Sequence, residues 1–252
     1  MKIKNIIYVL VVLISLSGIA FAEPTQHKPR IEHGTGYSTN WAGYAVTQNN
    51  VTDVKGSWIV PTVICQKGKS TYSASWVGID GYNSNTVEQL GTDSDCSNGK
   101  PTYYGWYEFY PNPAYYAFSS SVKAGDVISA EVIYNGNDSF TLSMTDSRTT
   151  ETFTKTGIIP NTQRTSAEWI IEAPWMGKVL PLADFGMEQF GNDYTHIINT
   201  GSATINGITG NIGSFGDSNI QKIIMVTNAG LPKTNSVSFT NGTSFLVQWL
   251  RS

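Results

Sequence analysis

Short runs of alternating polar and apolar residues recur along this 252-residue chain, and helical periodicity is nearly absent. The runs are rich in β-branched and aromatic residues, and turn signals such as Asn135-Gly136-Asn137-Asp138 and Asn206-Gly207 separate them. Strands are predicted at residues 57–63, 75–93, 127–134, 139–145, 150–156, 168–171, 220–227 and 243–250. Many short strands at this spacing predict an all-β fold, an antiparallel sandwich or barrel of jelly-roll type.

The first 22 residues have the three parts of a secretory signal peptide. Lysines at positions 2 and 4 precede an apolar run from Ile6 to Ile19, and Ala20-Phe21-Ala22 provides a cleavage site. The apolar run is shorter than the ~20 residues that a membrane-spanning helix needs. We therefore expect cleavage after Ala22 and a secreted, extracellular protein, rather than a membrane anchor.

Residues 23–36 carry prolines, histidines and charges without periodicity, which predicts a linker or a short propeptide. We expect a disordered leader, and the alternative, which the basic and histidine side chains would allow, is a segment that lies in an acidic cleft. The remaining residues, 37–252, show no internal linker and no sequence repeat. We expect them to form a single β-sandwich domain.

The charge of the chain argues against a nucleic-acid partner. Without residues 1–22 it carries 14 Lys and Arg against 19 Asp and Glu, a formal charge of −5, whereas phosphate binding needs clustered basic residues. Charged residues make up only 14% of the sequence, so few ion pairs exist for acid to break. We expect a monomer that is free of nucleic acid and, after signal cleavage, of membranes.

Cys65 and Cys96 are the only cysteines. In an exported chain they can form one disulfide between the loop after Val63 and the strand that ends near Asp95, and a pair of buried free thiols is the alternative. Two cysteines without a nearby histidine are too few for a structural zinc site.

The residue inventory excludes several kinds of catalysis. Histidine occurs only at positions 27, 33 and 196, and the first two lie in the leader. His196 has neither a nucleophile elbow nor a reactive-cysteine context, so we interpret it as a surface or packing residue. Metalloprotease, dinucleotide and phosphate-loop motifs are absent, so no metal or cofactor is expected. Catalysis would have to come from carboxylates, amides and aromatic side chains.

Three predicted strand regions place polar and aromatic side chains on one face. Because side chains alternate across a strand, residues two apart share a face. The sets are Trp76, Gly78 and Asp80 with Val87, Gln89, Gly91 and Asp93; Tyr104, Trp106, Glu108 and Tyr110; and Glu168, Ile170 and Glu172. Aromatic walls with a few polar groups are typical of ligand sites, so these faces predict a shared groove.

Carboxylates in an aromatic groove suit two reaction classes. Glu108 with Glu168 would serve glycoside hydrolysis, in which two carboxyl groups flank the scissile bond. Gln89 with Glu168 would serve amide hydrolysis, in which a carboxylate activates water and an amide donor holds the oxyanion. A carbohydrate-binding module that stacks sugars on Trp76 and Trp106 is a non-enzymatic alternative.

Five motifs in register carry a resemblance to a known family. They are Asn40-Trp41-Ala42-Gly43-Tyr44, Trp76-Val77-Gly78-Ile79-Asp80-Gly81, Gln89-x-Gly91, Trp106-Tyr107-Glu108-Phe109-Tyr110-Pro111 and Ala167-Glu168-Trp169-Ile170-Ile171-Glu172. In this order they resemble the glutamic peptidase (eqolisin) family. The resemblance implies an antiparallel two-sheet β-sandwich of jelly-roll or concanavalin-like type. It also implies a metal-free, acid-acting endopeptidase that hydrolyses polypeptides with a Gln/Glu dyad.

The resemblance also implies roles for single residues. The catalytic glutamine of the family falls on Gln89, which would stabilise the oxyanion, and its glutamate falls on Glu168, which would activate water. The substrate cleft would be lined by Trp76, Asp80, Trp106 and Glu108. Asp80 and Glu108 can equally be interpreted as structural hydrogen-bond partners. The segment Glu88-Gln89-Leu90 departs from the apolar and small residues usual around the family glutamine.

Overall fold

A computed structural model describes residues 24–34, 36–118, 120–237 and 240–252, so the predicted signal peptide lies outside the described residues. In chain order the elements are β1 (Tyr37–Ser38), β2 (Trp41–Thr47), β3 (Val51–Ile59), β4 (Ala74–Ile79), β5 (Val87–Ser97), β6 (Lys100–Tyr110), β7 (Tyr115–Tyr116), β8 (Val127–Gly136), β9 (Ser139–Asp146), β10 (Thr152–Ile158), β11 (Ser166–Glu172), β12 (Met187–Phe190), α1 (Asn192–Thr195), β13 (Ser202–Ile205), β14 (Ile208–Asn211), a 3₁₀ turn (Ile212–Ser214), β15 (Ile220–Met225), β16 (Thr234–Ser236) and β17 (Phe245–Trp249). Over these ranges no helix has the length and apolar character needed to cross a membrane.

The strands form two sheets, which confirms the predicted all-β class. One sheet has the order β1-β15-β2-β11-β4-β5-β6-β7, and the other has the order β10-β9-β8-β3-β12-β17-β16, with β13 beside β3 and β14 beside β13. Neighbouring strands pair antiparallel except β1 with β15. The first of these sheets carries the five motifs of the sequence.

The predicted hairpin between residues 75 and 93 is the pair β4 and β5, in register from Ala74 opposite Asp93 to Ile79 opposite Glu88. One set of its alternating side chains packs against the second sheet to form the main core. Buried members of this core are Val77, Leu90 and Trp169 from the first sheet and Trp58, Phe140 and Leu142 from the second. The alternate set points away from the second sheet and forms the groove described below.

The strand predicted at 57–63 differs in its bounds, because β3 begins at Val51 and ends at Ile59. Pro61 follows closely and has no N–H group to donate to a ladder. The last backbone donor before it, the N–H of Val60, binds the carbonyl of Asp126 at 2.9 Å. The strand therefore ends before the position predicted.

A disulfide joins Cys65 and Cys96, as predicted. Backbone hydrogen bonds exchanged between Thr71 and Cys96, at 2.8 and 3.0 Å, hold the adjoining loop against the end of β5. This end of β5 leads directly to Asp93 and Asp95, so the bridge anchors one wall of the groove.

Candidate active site

The face of the first sheet that points away from the second sheet carries a separate cluster of side chains. We call it the groove face. Its buried apolar members are Trp41, Ala45, Ala74, Trp76, Tyr82, Val87, Trp106, Ile170 and Ile223. Strand alternation adds the buried polar residues Gln89, Asp93, Glu108, Glu168 and Glu172. The three predicted strand faces therefore meet on one surface.

Cross-strand register arranges the groove face in rows. Gln89 lies between Gly78 on β4 and Glu108 on β6. In the next row on this face, Gly91 lies between Trp76 and Trp106. A Cβ atom on Gly91 would stand 2.5 Å from the Cβ of Trp76, so only glycine allows the strands to approach here.

Residues 24–34, which we call the leader segment, pass through this groove. The N–H of Trp175 donates to the carbonyl of Gln26 at 2.9 Å. The indole Nε1 of Trp41 donates to the carbonyl of Lys28 at 3.0 Å. The N–H of Arg30 donates to the carbonyl of Gly81 at 3.0 Å. The expectation of a disordered leader is therefore wrong, and the structure shows the alternative, a segment packed in the acidic cleft.

The peptide bond between His27 and Lys28 occupies the centre of the groove. Its carbonyl oxygen accepts a hydrogen bond from Gln89 Nε2 at 2.7 Å, and its N–H, on Lys28, donates to Glu172 Oε1 at 3.1 Å. Glu108 Oε2 accepts from the same Gln89 Nε2 at 2.9 Å and from the N–H of His27 at 3.1 Å. An amide donor and a carboxyl group therefore contact the two ends of one peptide bond.

The side chain of His27 fills a closed pocket on the groove face. Its ring stacks on Trp106 with centroids 3.5 Å apart and an interplanar angle of 9°. Its Nδ1 lies 3.5 Å from Glu172 Oε2, and its Nε2 lies 3.6 Å from Asp93 Oδ1. Burial lowers the pKa of His27 well below its ordinary value because the charged imidazolium is desolvated.

Burial raises the pKa values of the carboxyl groups around this pocket. Burial raises the pKa of Glu172 well above its usual range, and the charge of Glu108 adds to the effect. Burial likewise raises the pKa of Glu108, and it raises that of Asp93 to about 7, against hydrogen bonds from Tyr104 and Thr25 that lower it. At acidic pH few of these carboxyl groups are therefore ionised.

The structure does not bring Glu168 to Gln89. Glu168 lies on β11 and Gln89 on β5, with Gly78 of β4 between them in the same cross-strand row. The indole of Trp76 lies over the intervening Gly78. Both carboxyl oxygens of Glu168 are buried without a hydrogen-bond partner, and its electrostatic neighbours are Asp80 and Glu88. Among the described residues, no leader hydrogen bond reaches Glu168.

Asp80 has a structural role instead of the predicted substrate contact. It follows β4 with a positive φ of 70°, which turns it out of the strand alternation. Its carboxylate accepts backbone N–H groups of residues 163, 164 and 165 at 2.7 to 2.9 Å. These bonds hold the loop that leads into β11. The alternative interpretation of Asp80, as a structural partner, therefore fits the structure.

The other predicted site residues do lie at the groove. Trp106 stacks on His27, and the indole Nε1 of Trp76 donates to Glu172 Oε2 at 3.0 Å. Gln89 and Glu108 contact the leader backbone. The exposed His196 follows α1, away from these groups, in agreement with its interpretation as a surface residue.

Two groove residues, Glu172 and Asp93, have no role predicted from the sequence. Strand alternation assigns Glu172 and Asp93 to the correct faces, but no role follows from the pattern. Tyr104 donates to Asp93 Oδ2 at 2.5 Å, and Asn40 Nδ2 lies 3.4 Å from Glu172 Oε1. Tyr104 belongs to a predicted groove strand, and Asn40 belongs to one of the five motifs. Strand alternation and the motifs could therefore have identified both residues as part of the groove.

Buried carboxyl groups with raised pKa values predict a protein that is more stable in acid. Such groups bind more protons in the folded than in the unfolded state, so stability is fully present below the unfolded pKa and is lost as pH rises. For Asp53 and Asp93 the pKa rises from 3.8 to about 6 and about 7. We expect the free energy of unfolding to fall between about pH 4 and pH 7, although Asp126 and His27, whose pKa values are lowered, act oppositely.

Denaturant unfolding at pH 4 and pH 7 measures this difference. Glu188 is fully buried away from the leader segment, and burial raises its pKa well above the usual range. Glu188→Gln should therefore reduce the pH dependence. Greater stability at pH 7 than at pH 4 would contradict the prediction.

The fold and the groove define the class of protein: a β-sandwich that holds an extended peptide between an amide donor and a carboxyl group. Sequence comparison then gives the family. The profile of the peptidase A4 family matches residues 39–243. The chain belongs to this family, the glutamic peptidases or eqolisins, which confirms the resemblance inferred from its motifs.

Individual relatives agree with this assignment. Aspergillopepsin-2 of Aspergillus niger is 31% identical over 179 residues, which are 62% of this chain and 64% of that protein. The chain thus spans less than two thirds of this curated relative. The structure of scytalido-glutamic peptidase with a transition state analog inhibitor superposes with a TM-score of 0.70 at 23% identity, covering 84% of this chain and 98% of that one.

A further solved structure, the eqolisin SCP-B in a complex with the tripeptide Ala-Ile-His, gives a TM-score of 0.67 at 22% identity. It covers 84% of this chain and 98% of the other. At these identities the two structural likenesses show the fold.

Proposed function

We propose that this chain is a secreted, acid-acting endopeptidase that hydrolyses peptide bonds with Gln89 and Glu172. The observation that carries the proposal is the peptide bond of the leader, whose carbonyl contacts Gln89 and whose N–H contacts Glu172. Membership of the glutamic peptidase family supports it, as do the peptide and inhibitor complexes of the similar structures. Glu172 takes the role that the sequence resemblance gives to Glu168.

In the first step Glu172 acts as general base. Its carboxylate takes a proton from a water molecule, and the water oxygen attacks the carbonyl carbon of the bound peptide. Negative charge develops on the carbonyl oxygen, where Gln89 Nε2 already donates a hydrogen bond. A donor placed in advance in a dry site stabilises this charge without reorganisation.

In the second step the tetrahedral intermediate collapses. The bond between carbon and nitrogen breaks, and Glu172 returns its proton to the leaving nitrogen. The contact from the peptide N–H to Glu172 Oε1 is consistent with a carboxyl group that can reach this atom. One residue can therefore act first as base and then as acid.

Glu108 is a positioning residue in this scheme. Its Oε2 accepts a hydrogen bond from Gln89 Nε2, which directs the NH₂ end of the amide, and not its oxygen, towards the substrate carbonyl. The same oxygen accepts the N–H of the residue before the scissile bond. Glu108 thus orients both the oxyanion donor and the peptide.

The carboxyl groups of Asp93, Glu108 and Glu172 explain why the activity should be acidic. Ionisation of one group raises the pKa of its neighbours. With a single negative charge the cluster retains a base and keeps the other groups neutral. Further ionisation near neutrality would place like charges beside the developing oxyanion, so turnover should fall as pH rises.

The glycosidase alternative loses its geometric basis. Glycoside hydrolysis needs two carboxyl groups on one scissile bond, but Gly78 and Gln89 lie between Glu168 and Glu108 in the cross-strand row. Glu108 instead contacts Gln89 and the leader backbone. A carbohydrate-binding module is disfavoured because Trp76 and Trp106 are fully buried in the leader-filled groove.

Secretion remains part of the proposal. It is supported by the tripartite segment at residues 1–22 and by the Cys65–Cys96 disulfide, since disulfides persist in oxidising compartments. Its predicted consequence is an N-terminus beyond Ala22 in the exported protein.

Digestion of a denatured protein across pH tests the proposed function. We expect the highest rate well below neutrality. Chelators, serine-directed reagents and thiol reagents should not change the rate, because the proposed site uses no metal ion, serine or cysteine. A β-glucan assayed in parallel should remain intact. Loss of proteolysis on addition of a chelator, or hydrolysis of the glucan alone, would contradict the proposal.

A further inference from the structure

We propose that the groove selects peptides with basic side chains at the first and third positions after the scissile bond, and that the rings of Trp175 and Tyr82 provide this selectivity. The inference rests on the proposed function and names a substrate class for the same site, peptides supplied in solution. It is carried by two contacts of the leader segment, in which each of these rings lies against a cationic side chain.

The leader segment shows where the side chains of a bound peptide lie. Its bond after His27 lies between the two proposed catalytic side chains, so Lys28 is the first residue after that bond and Arg30 is the third. The backbone is fixed at both positions. The indole of Trp41 donates to the carbonyl of Lys28, and the N–H of Arg30 donates to the carbonyl of Gly81, each at 3.0 Å. A substrate on the same backbone path would place its first and third side chains here.

The first position after the bond lies against Trp175. Lys28 Nζ is 3.4 Å from the centroid of the Trp175 ring, and tryptophan offers the most favourable ring face for a cation. The residue is held in place from two sides. Its N–H donates to the carbonyl of Gln26 at 2.9 Å, and the N–H of Leu180 closes the surrounding turn on the carbonyl of Pro174 at 2.8 Å. The ring is therefore positioned to receive a cation before a substrate binds.

The third position lies against Tyr82, whose buried ring belongs to the groove face. The guanidinium carbon of Arg30 is 4.1 Å from the centroid of this ring. Arg30 Nε donates to the carbonyl of Tyr82 at 3.3 Å, and its Nη1 donates to the carbonyl of Tyr37 at 3.1 Å. A planar guanidinium can stack on a ring and donate from its edge at the same time, which an ammonium group cannot do. This position therefore fits arginine better than lysine.

Aromatic rings suit the selection of cations by an enzyme that acts in acid. Carboxylates lose their charge as pH falls, whereas a ring face does not titrate and lysine and arginine side chains stay protonated. Among the described residues, Lys28 and Arg30 form no ion pair with a carboxylate of the groove, and Arg30 pairs only with Glu32 of the leader itself, at 3.5 Å. The preference should therefore persist throughout the acidic range.

Matched synthetic peptides test the inference on the exported protein, in the form that digests a denatured protein. Lysine at the first position is compared with norleucine, and arginine at the third with citrulline, since these analogues keep the shape and remove the charge. We expect kcat/KM to be about three- to tenfold higher for each charged peptide. The difference should appear in KM, because a contact remote from the reacting atoms is equal in the ground and transition states. The ratio should be the same at about pH 3 and about pH 5.

Substitution of each ring separates the two positions. Trp175→Leu should bring the ratio of lysine to norleucine peptides close to one and keep the ratio of arginine to citrulline peptides, and Tyr82→Leu should do the reverse. Tyr82→Phe keeps a ring and should keep the arginine preference. Tyr115→Leu removes an exposed ring that stacks on Tyr107 and should change neither ratio. Each ratio compares two peptides on one variant, so a general loss of folded protein does not alter it.

The outcomes separate this inference from the proposed function. A protein that digests denatured substrate but cleaves charged and neutral peptides equally well would refute the selectivity and leave the endopeptidase assignment in place. Unchanged ratios in Trp175→Leu and Tyr82→Leu, or a preference that disappears as pH falls, would refute the role of the rings. If no form of the exported protein digests a denatured protein, the proposed function itself fails, and this inference fails with it.

Discussion

Glu172→Gln should abolish proteolysis of a denatured protein, with a loss in turnover of at least about 10²-fold. The substitution keeps the size of the side chain, and its single amide oxygen can accept from one of the two present donors, the Trp76 indole or the Lys28 N–H. It removes the carboxyl group that the proposed mechanism uses to take a proton from water and return it to the leaving nitrogen. General acid–base catalysis typically contributes about 10² to 10⁴ in rate. Initial rates at acidic pH, after removal of the leader by another protease, measure the effect.

Glu168→Gln is the matched control for this variant. It makes the same chemical change four residues earlier on β11 and on the same strand face. The carboxyl group of Glu168 is buried without a hydrogen-bond partner, and burial keeps its pKa raised. A neutral amide therefore replaces a neutral acid, and turnover should stay within about threefold of the wild type. If Glu168→Gln is folded and inactive while Glu172→Gln is active, the catalytic glutamate is Glu168.

Gln89→Ala should lower turnover by about 10² to 10³, the effect of removing one oxyanion donor. The loss should appear mainly in kcat, because Gln89 stabilises charge that develops only after substrate has bound. Gln163→Ala, which truncates an exposed amide, should leave kcat unchanged. Circular dichroism verifies the fold of both variants. A folded Gln89→Ala protein that digests substrate at the wild-type rate would exclude the dyad.

Much of the fold follows from local sequence patterns. The period-two runs predict antiparallel strands, and the hairpin from β4 to β5 has the face assignment that alternation implies. The same rule is enough to assign Trp76, Gln89 and Trp106 to one surface. Alternation is a local property of extended backbone, so neighbouring residues alone determine it.

Local sequence patterns do not identify which glutamate of β11 acts in the proposed mechanism. Glu168 and Glu172 lie on the same face of β11, about 13 Å apart along the strand, and both belong to the same motif, residues 167–172. Local pattern therefore cannot distinguish them. The structure favours Glu172 because the leader backbone passes it, whereas Glu168 lies behind the Trp76 indole beside Asp80 and Glu88.

The orientation of Asp80 and the position of the leader segment are also not predicted by local sequence patterns. Strand alternation predicts that Asp80 faces the groove, but a positive φ turns its carboxylate towards the loop before β11. The leader has no periodicity, yet its backbone matches a row of donors and acceptors contributed by distant segments. No local signal encodes such a match.

The sequence by itself thus determined the all-β class, the antiparallel pairing of the central hairpin, the pairing of its two cysteines and the residue types available for catalysis. Each of these depends on local alternation, turn chemistry or counting. Only the tertiary structure decided which carboxyl group of β11 contacts the peptide bond that Gln89 binds, that Asp80 supports a loop, and that the bond after His27 lies between the two proposed catalytic side chains. These facts depend on how separate strands and the leader segment pack together and bring residues far apart in the chain within hydrogen-bonding distance.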